Sequence, residues 1–253
     1  MPDPSFSKSP VDIASGHTVR RYDEELAKLR GIILEMGERV VEQTQSAVVA
    51  LVERIECQAY RVLDREPLID YLSLDADEEI FRVIARRQPA AVDLRIVLAL
   101  SKIAGEVERA GDKAARIARQ ALETLTLLNP GAELPSDDLK EQLQQLNDKA
   151  CCMFERSIRA VATFDVKLAL GIFEDEPNLY HASNEVRKIL GESNQESLTP
   201  RQVVCLLTTA HALERIGNHA STIAEQVIYV ALGQDVRYRN REILIDTLRH
   251  YGY

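Results

Sequence analysis

One segment of this chain occurs twice. Residues 104–120 read AGEVERAGDKAARIARQ and residues 210–226 read AHALERIGNHASTIAEQ. At a fixed offset of 106, eight of the seventeen positions are identical: Ala104, Glu108, Arg109, Gly111, Ala114, Ile117, Ala118 and Gln120 in the first copy. Self-similarity at one spacing marks a duplicated structural unit. A unit of this length is too long for a solenoid repeat and suits a small helical bundle. The shared core, ER-x-G-x-x-A-x-x-IA, also carries polar groups that a plain core helix does not need.

Two such units fit within 253 residues. Tryptophan is absent and aromatics make up 5% of the chain, so the core must be aliphatic, as long helices favour. Net charge is −9. That argues against nucleic acid or an anionic membrane as the main partner, because both reward clustered Lys and Arg. The N-terminus has no apolar stretch of the signal-peptide type, and no run of about 18 apolar residues spans a bilayer. The expectation is a cytoplasmic protein without a transmembrane segment. Cys57, Cys151, Cys152 and Cys205 form no C-x-x-C pair. They read as buried free thiols, with Cys151 and Cys152 pointing to different sides of one helix.

Residues 1–16, rich in Pro, Ser and Asp, read as disordered. Tyr22, Leu26, Leu29, Ile33, Met36 and Val40 then form a stripe spaced by four and three, followed after a polar gap by Ala47 and Leu51. This spacing predicts a bundle helix over 20–56. A second helix is expected over 58–86. Pro89 opens a third that runs to 127, because proline suits a first turn. Asn129-Pro130-Gly131 marks a linker over 129–135. The plan repeats over 136–163, 166–191 and 200–233, with Thr199-Pro200 as N-cap and first-turn proline and Gly233 as the stop. The fold class is all-α: two tandem three-helix bundles, 17–128 and 136–235. A tail, 236–253, holds one short helix from 241 to 251.

Residues four apart share a helix face, so Glu108 and Asp112 project together. Two close carboxylates repel unless a cation lies between them or one is protonated. A hard metal would suit such a pair, yet the spacing is equally common on solvated faces, and Glu66 and Asp70 repeat it. Arg109 can pair with Glu106 three residues earlier. Gly111 and Gly217 cost helix stability and point to close helix packing. None of the five histidines follows a glutamate by three, so the di-iron E-x-x-H signature is absent. His211 and His219 read as structural or solvated. No phosphate loop, dinucleotide fingerprint or nucleophile elbow is present. The residues offer no catalytic constellation, and the expectation is that the chain is not an enzyme.

The runs HTVRRYDEEL (17–26), RRQPAAVDLRIVLALSKIAGEVERAGDKAARIA (86–118) and LERIGNHASTIAEQVIY (213–229) closely resemble the PhoU family over roughly 17–235. The resemblance implies two three-helix bundles and a regulator of phosphate uptake that represses the phosphate-starvation response. It implies an adaptor between the ATPase subunit of a phosphate ABC transporter and a membrane sensor histidine kinase, in homodimeric form. It further implies metal ions (Mg, Mn, Fe or Zn) held by carboxylates of the third helix of each bundle, with second-helix carboxylates nearby. Carried onto this chain, the first set is Glu106, Glu108 and Asp112 with Asp70, Asp75 and Asp77. Ser73 and Arg116 stand where the family pattern has Glu and Asn. The second set is Glu214 and Glu225 with Asn218 in place of the motif aspartate and Thr222 in place of Asn. Region 175–187 matches the acidic pattern poorly, and Pro177 is expected near the start of its helix. Loss of a negative charge at Asn218 should weaken a hard divalent cation, so metal is expected in the first bundle first. Two other readings remain: a divergent paralogue serving another complex, and a carboxylate-metal hydrolase, for which no base or phosphate cradle is evident.

Overall fold

The computed structural model describes residues 20–127, 136–192 and 198–253. The disordered segment expected at 1–16 and the linker expected at 129–135 lie outside these residues. Seven helices follow in order: α1 Arg20–Val52, α2 Glu56–Arg87, α3 Ala91–Leu127, α4 Asp137–Thr163, α5 Val166–Glu192, α6 Pro200–Leu232 and α7 Arg241–His250. Among the described residues there is no strand. Helices α1–α3 form the first bundle, α4–α6 the second, and α7 leans on α5. The bundles share one core, joined chiefly by α3 against α6 and also by α1 against α4.

The α1 stripe is buried from Tyr22 to Leu51. Within its polar gap Gln43 and Thr44 are buried, and each donates a hydrogen bond, although Gln43 Oε1 is left without a partner among the described residues. Gln43 Nε2 donates to the Arg65 carbonyl at 3.1 Å and Thr44 Oγ1 to the Val40 carbonyl at 2.7 Å. A buried polar group with a hydrogen bond costs little, so the helix passes through the gap unbroken.

Two boundaries differ from expectation, and in both a left-handed residue is responsible. Helix α1 stops at Val52 because Arg54 takes φ 61°, and Ile55 N–H then bonds the Ala50 carbonyl at 3.0 Å. Gln88 takes φ 48° and its N–H caps the Ile84 carbonyl, so Pro89 lies in the connection and α3 opens at Ala91. Thr199-Pro200 behaves as expected, with a capping box between Thr199 and Gln202 and Pro200 as the first helical residue. Gly233 ends α6 at φ 73°, as expected. Pro177 is not near a helix start. It lies in the interior of α5, as Pro67 does in α2, and both are exposed, where water can serve the freed carbonyl. Cys151 is buried and Cys152 exposed, on different sides as expected; Cys57, expected buried, is exposed as well, and all four thiols are free.

The two motif glycines mark where the third helix of each bundle meets the second. A Cβ on Gly111 would lie 3.0 Å from Ile69 Cδ1, and one on Gly217 would lie 2.2 Å from Leu179 Cδ2. Alanine gains about 1 kcal/mol over glycine inside a helix, whereas overpacking costs about 1–3 kcal/mol. The 2.2 Å approach calls for the upper end of that cost, a net of about 2 kcal/mol, so Gly217→Ala is expected to lower Tm by roughly 4–8 °C in a thermal circular dichroism melt. Gly111→Ala, needing only a small shift of Ile69, should stay within about 2 °C of wild type. Equal losses at both sites would contradict the packing.

Candidate functional site

The duplication extends to the second helix of each bundle at an offset of 110. It equates Pro67 with Pro177, Ile69 with Leu179 and Ser73 with Ser183. The serines reveal what the motif glutamates do. Ser73 Oγ donates to Glu108 Oε2 at 3.0 Å, and Ser183 Oγ donates to Glu214 Oε2 at 2.6 Å. In each half a serine on the second helix holds the motif glutamate of the third. Sequence reasoning took Ser73 for a departure and passed over Ser183. Laying α2 over α5 by their prolines would have exposed the pair.

In the first bundle Asp70, Glu108 and Asp112 gather on facing sides of α2 and α3. Burial pushes the Asp70 carboxyl up, and the neighbouring charges of Asp112, Glu66 and Glu108 push it further. Arg119 is spent on Glu66, donating to both its oxygens at 2.7 and 2.6 Å. Among the described residues no ion pair neutralises Asp70, Glu108 or Asp112. Asp77 is exposed one turn beyond Ser73, in a groove with Glu78 and Phe81; Asp75 is exposed beside it.

Glu106 belongs to a different face. At about 100° per residue it stands about 200° around α3 from Glu108. It points toward α6, where its Oε2 lies 2.6 Å from His219 Nδ1, and its other oxygen accepts from Arg109, the i,i+3 pair expected from the sequence. Burial raises the Glu106 carboxyl, but hydrogen bonds from His219 and Arg109 outweigh it and hold the group below the usual carboxylate range. His219, read as structural or solvated, is a buried partner between the bundles.

The second bundle is built differently. Besides Ser183, Glu214 receives the guanidinium of Arg187, which occupies the position equivalent to Asp77. Burial pushes Glu214 up, and Ser183 and Arg187 together bring it below the usual range. Glu225 stands where the first bundle has Arg119, so the duplicated position has changed sign. The chain restores a cation from outside the repeat. Arg241 of α7 donates to Glu225 Oε1 at 2.7 Å and to Glu176 Oε2 at 3.2 Å, with its guanidinium 4.2 Å from the Phe173 ring centroid. Burial nevertheless leaves Glu225 with a raised pKa, Arg241 offsetting only part of it. Asn218 is exposed, and Thr222 Oγ1 donates to its main-chain carbonyl at 3.2 Å.

Metal ligands must converge, and their charge must be unspent. Glu214 and Glu225 are each matched to a guanidinium and Asn218 does not join them, so the second set does not fit a metal. The first set keeps uncompensated carboxylates but, among the described residues, no three His, Cys, Asp or Glu side chains are grouped closely enough to hold an ion. What both bundles share is a part-buried serine–glutamate clasp between second and third helix.

Removing Arg241 leaves Glu225 buried without its cation. Arg241→Met should cost about 2 kcal/mol, a Tm loss of roughly 4–8 °C at pH 7. A carboxyl whose folded pKa is raised weakens the fold above that pKa and ceases to do so once protonated. The loss should therefore be smaller at pH 5 than at pH 7. A pH-independent difference would show that Glu225 is not the group exposed by the substitution.

The PhoU domain model matches residues 33–121 and 143–227, one match in each bundle. A Pseudomonas putida protein described as a phosphate-specific transport system accessory protein PhoU homolog is 32% identical over 223 residues, 88% of this chain and 85% of its own. The crystal structure of PhoU from Pseudomonas aeruginosa superposes with a TM-score of 0.74 at 32% identity, covering 83% of this chain and 98% of that one. A phosphate transport system regulatory protein PhoU from Streptococcus pneumoniae superposes at 0.75 with 22% identity, covering 85% and 99%, and so speaks for the fold. Since the domain recurs in register with the duplication and the likeness runs through both bundles, the chain belongs to the PhoU family.

Proposed function

We propose that this chain is an accessory regulator of phosphate transport. It acts as a cytoplasmic, dimeric adaptor between the ATPase subunit of a phosphate ABC transporter and a sensor histidine kinase, and it represses the starvation response when phosphate is plentiful. The observation that carries this reading is the likeness to accessory proteins of phosphate transport across both bundles. The Pseudomonas putida relative is named an accessory protein and the Streptococcus pneumoniae structure a regulatory protein, and the chain is not an enzyme. No helix among the described residues is long and apolar enough to cross a membrane, which agrees with docking onto membrane components rather than spanning.

A second reading, a divergent paralogue serving another signalling complex, is favoured by one observation. The second bundle carries Asn218 and Arg187 where the first has Asp112 and Asp77. A phosphate-starvation reporter in a deletion strain grown with abundant phosphate decides between the two. Constitutive activity that this gene restores to repression supports the phosphate regulator. A reporter that stays silent in the deletion strain leaves the paralogue.

A metal, where one binds, is assigned to Glu108, Asp112 and Asp70 of the first bundle, which no cation pairs among the described residues; it would act there by cancelling carboxylate repulsion between α2 and α3. Equilibrium dialysis against Mn, followed by elemental analysis, should show Glu108→Ala with Asp112→Ala losing the bound metal and Glu214→Ala retaining it. Equal metal content in all three proteins would remove the assignment.

A further inference from the structure

Helix α2 carries a second pattern that its own bundle does not use. Tyr60, Asp64, Pro67, Tyr71, Leu74, Glu78, Phe81 and Ala85 recur at alternating spacings of four and three, the periodicity of a helix–helix seam. This seam faces solvent. Tyr60 is 56% exposed, Tyr71 65%, Leu74 61% and Phe81 75%. Single exposed apolar residues are ordinary, but a row of large ones along one helix marks an interaction surface.

The duplication supplies an internal control. At the equivalent register α5 has Pro177, His181, Asn184, Lys188 and Gly191 in place of Pro67, Tyr71, Leu74, Glu78 and Phe81. The same helix in the same bundle fold thus does without the apolar row, so folding does not require it. The charge of the surface also differs. Between Arg65 and Arg82, α2 has no Lys or Arg and carries Asp70, Asp75, Asp77 and Glu78. Arg82 is spent on Glu79 at 2.5 Å, and Arg65 pairs with Glu42.

We propose that the outer face of α2 is a docking surface for an amphipathic helix of a different protein, one that presents large apolar residues at heptad spacing flanked by Lys or Arg. The apolar row supplies the contact and the acidic flanks select the partner's charge. A second copy of this chain is the poorer occupant. An antiparallel pairing centred on Tyr71 and Leu74 sets Asp70 against Asp75, and a parallel one sets each acid against itself. The inference stands on α2 alone and does not depend on which pathway the protein serves.

The test uses the full chain and a fluorescein-labelled three-heptad peptide with Leu on its seam and Lys on its flanks, followed by anisotropy in buffer containing EDTA. Two control peptides replace Leu by Gln or Lys by Glu. Saturable binding of the Leu/Lys peptide alone is expected. Leu74→Ala with Phe81→Ala should weaken it at least tenfold, and Asp75→Asn with Asp77→Asn should weaken it several-fold and flatten its salt dependence. His181→Ala with Asn184→Ala on α5 should change nothing. Circular dichroism confirms that each variant is folded, as substitutions at such exposed positions should leave it. Equal binding of the Gln peptide, or undiminished binding by the Leu74/Phe81 variant, overturns the proposal in favour of unspecific charge attraction. Equal binding of the Glu peptide removes the charge selection. A dimer in sedimentation that Phe81→Glu dissociates assigns the face to a second copy instead.

Discussion

The antiparallel register of α3 against α6 is the constraint on which the rest of the molecule depends. Three contacts pin it along its length. Arg201 pairs with Glu123 at one end, His219 meets Glu106 in the middle, and Arg95 and Lys102 lie over the Tyr229 ring at the other. Both copies of the duplicated motif are on this pair of helices. Their small residues, among them Ala104, Ala114 and Ala118 in α3 and Ala210, Ala220 and Ala224 in α6, are fully buried. Small side chains let two long helices approach closely, and one core then runs through both bundles. With that face committed, the motif glutamates Glu108 and Glu214 are left to turn outward to α2 and α5.

Duplication made the two halves alike in backbone, and substitution then gave them different electrostatics. Ser73 and Ser183 perform the same act, and Ile69 and Leu179 fill the same glycine gap. The cations differ. The first bundle has Arg119 on Glu66 and leaves three carboxylates to repel one another; the second has Arg187 and Arg241. A guanidinium fixed in place satisfies a buried carboxylate permanently, whereas an acidic cluster stays responsive to whatever cation arrives. The first bundle is therefore the half with chemistry to spare, and the acidic, apolar-striped α2 belongs to it.

Much of this was legible before any coordinates. The apolar period places the first helix, because burial of one stripe is a local demand, and Pro89, Thr199-Pro200, Gly233 and the duplication place the other long ones. Errors clustered where the backbone turned left-handed at Arg54 and Gln88, residues whose side chains give no sign of it. The family resemblance groups Glu106 with Glu108, although the helical angle alone separates them. Pro177, expected near the start of its helix, lies in the interior of α5 on a solvent-facing side.

The sequence by itself determined the helix count, the duplication and the kinship, since periodicity and self-similarity are properties of one chain read in order. Only the tertiary structure decided which charges are spent. Arg241 lies outside the repeat and reaches Glu225 and Glu176 because α7 folds back on α5, and His219 meets Glu106 because α3 and α6 run antiparallel. Partners that distant in sequence are chosen by packing, which no local pattern encodes.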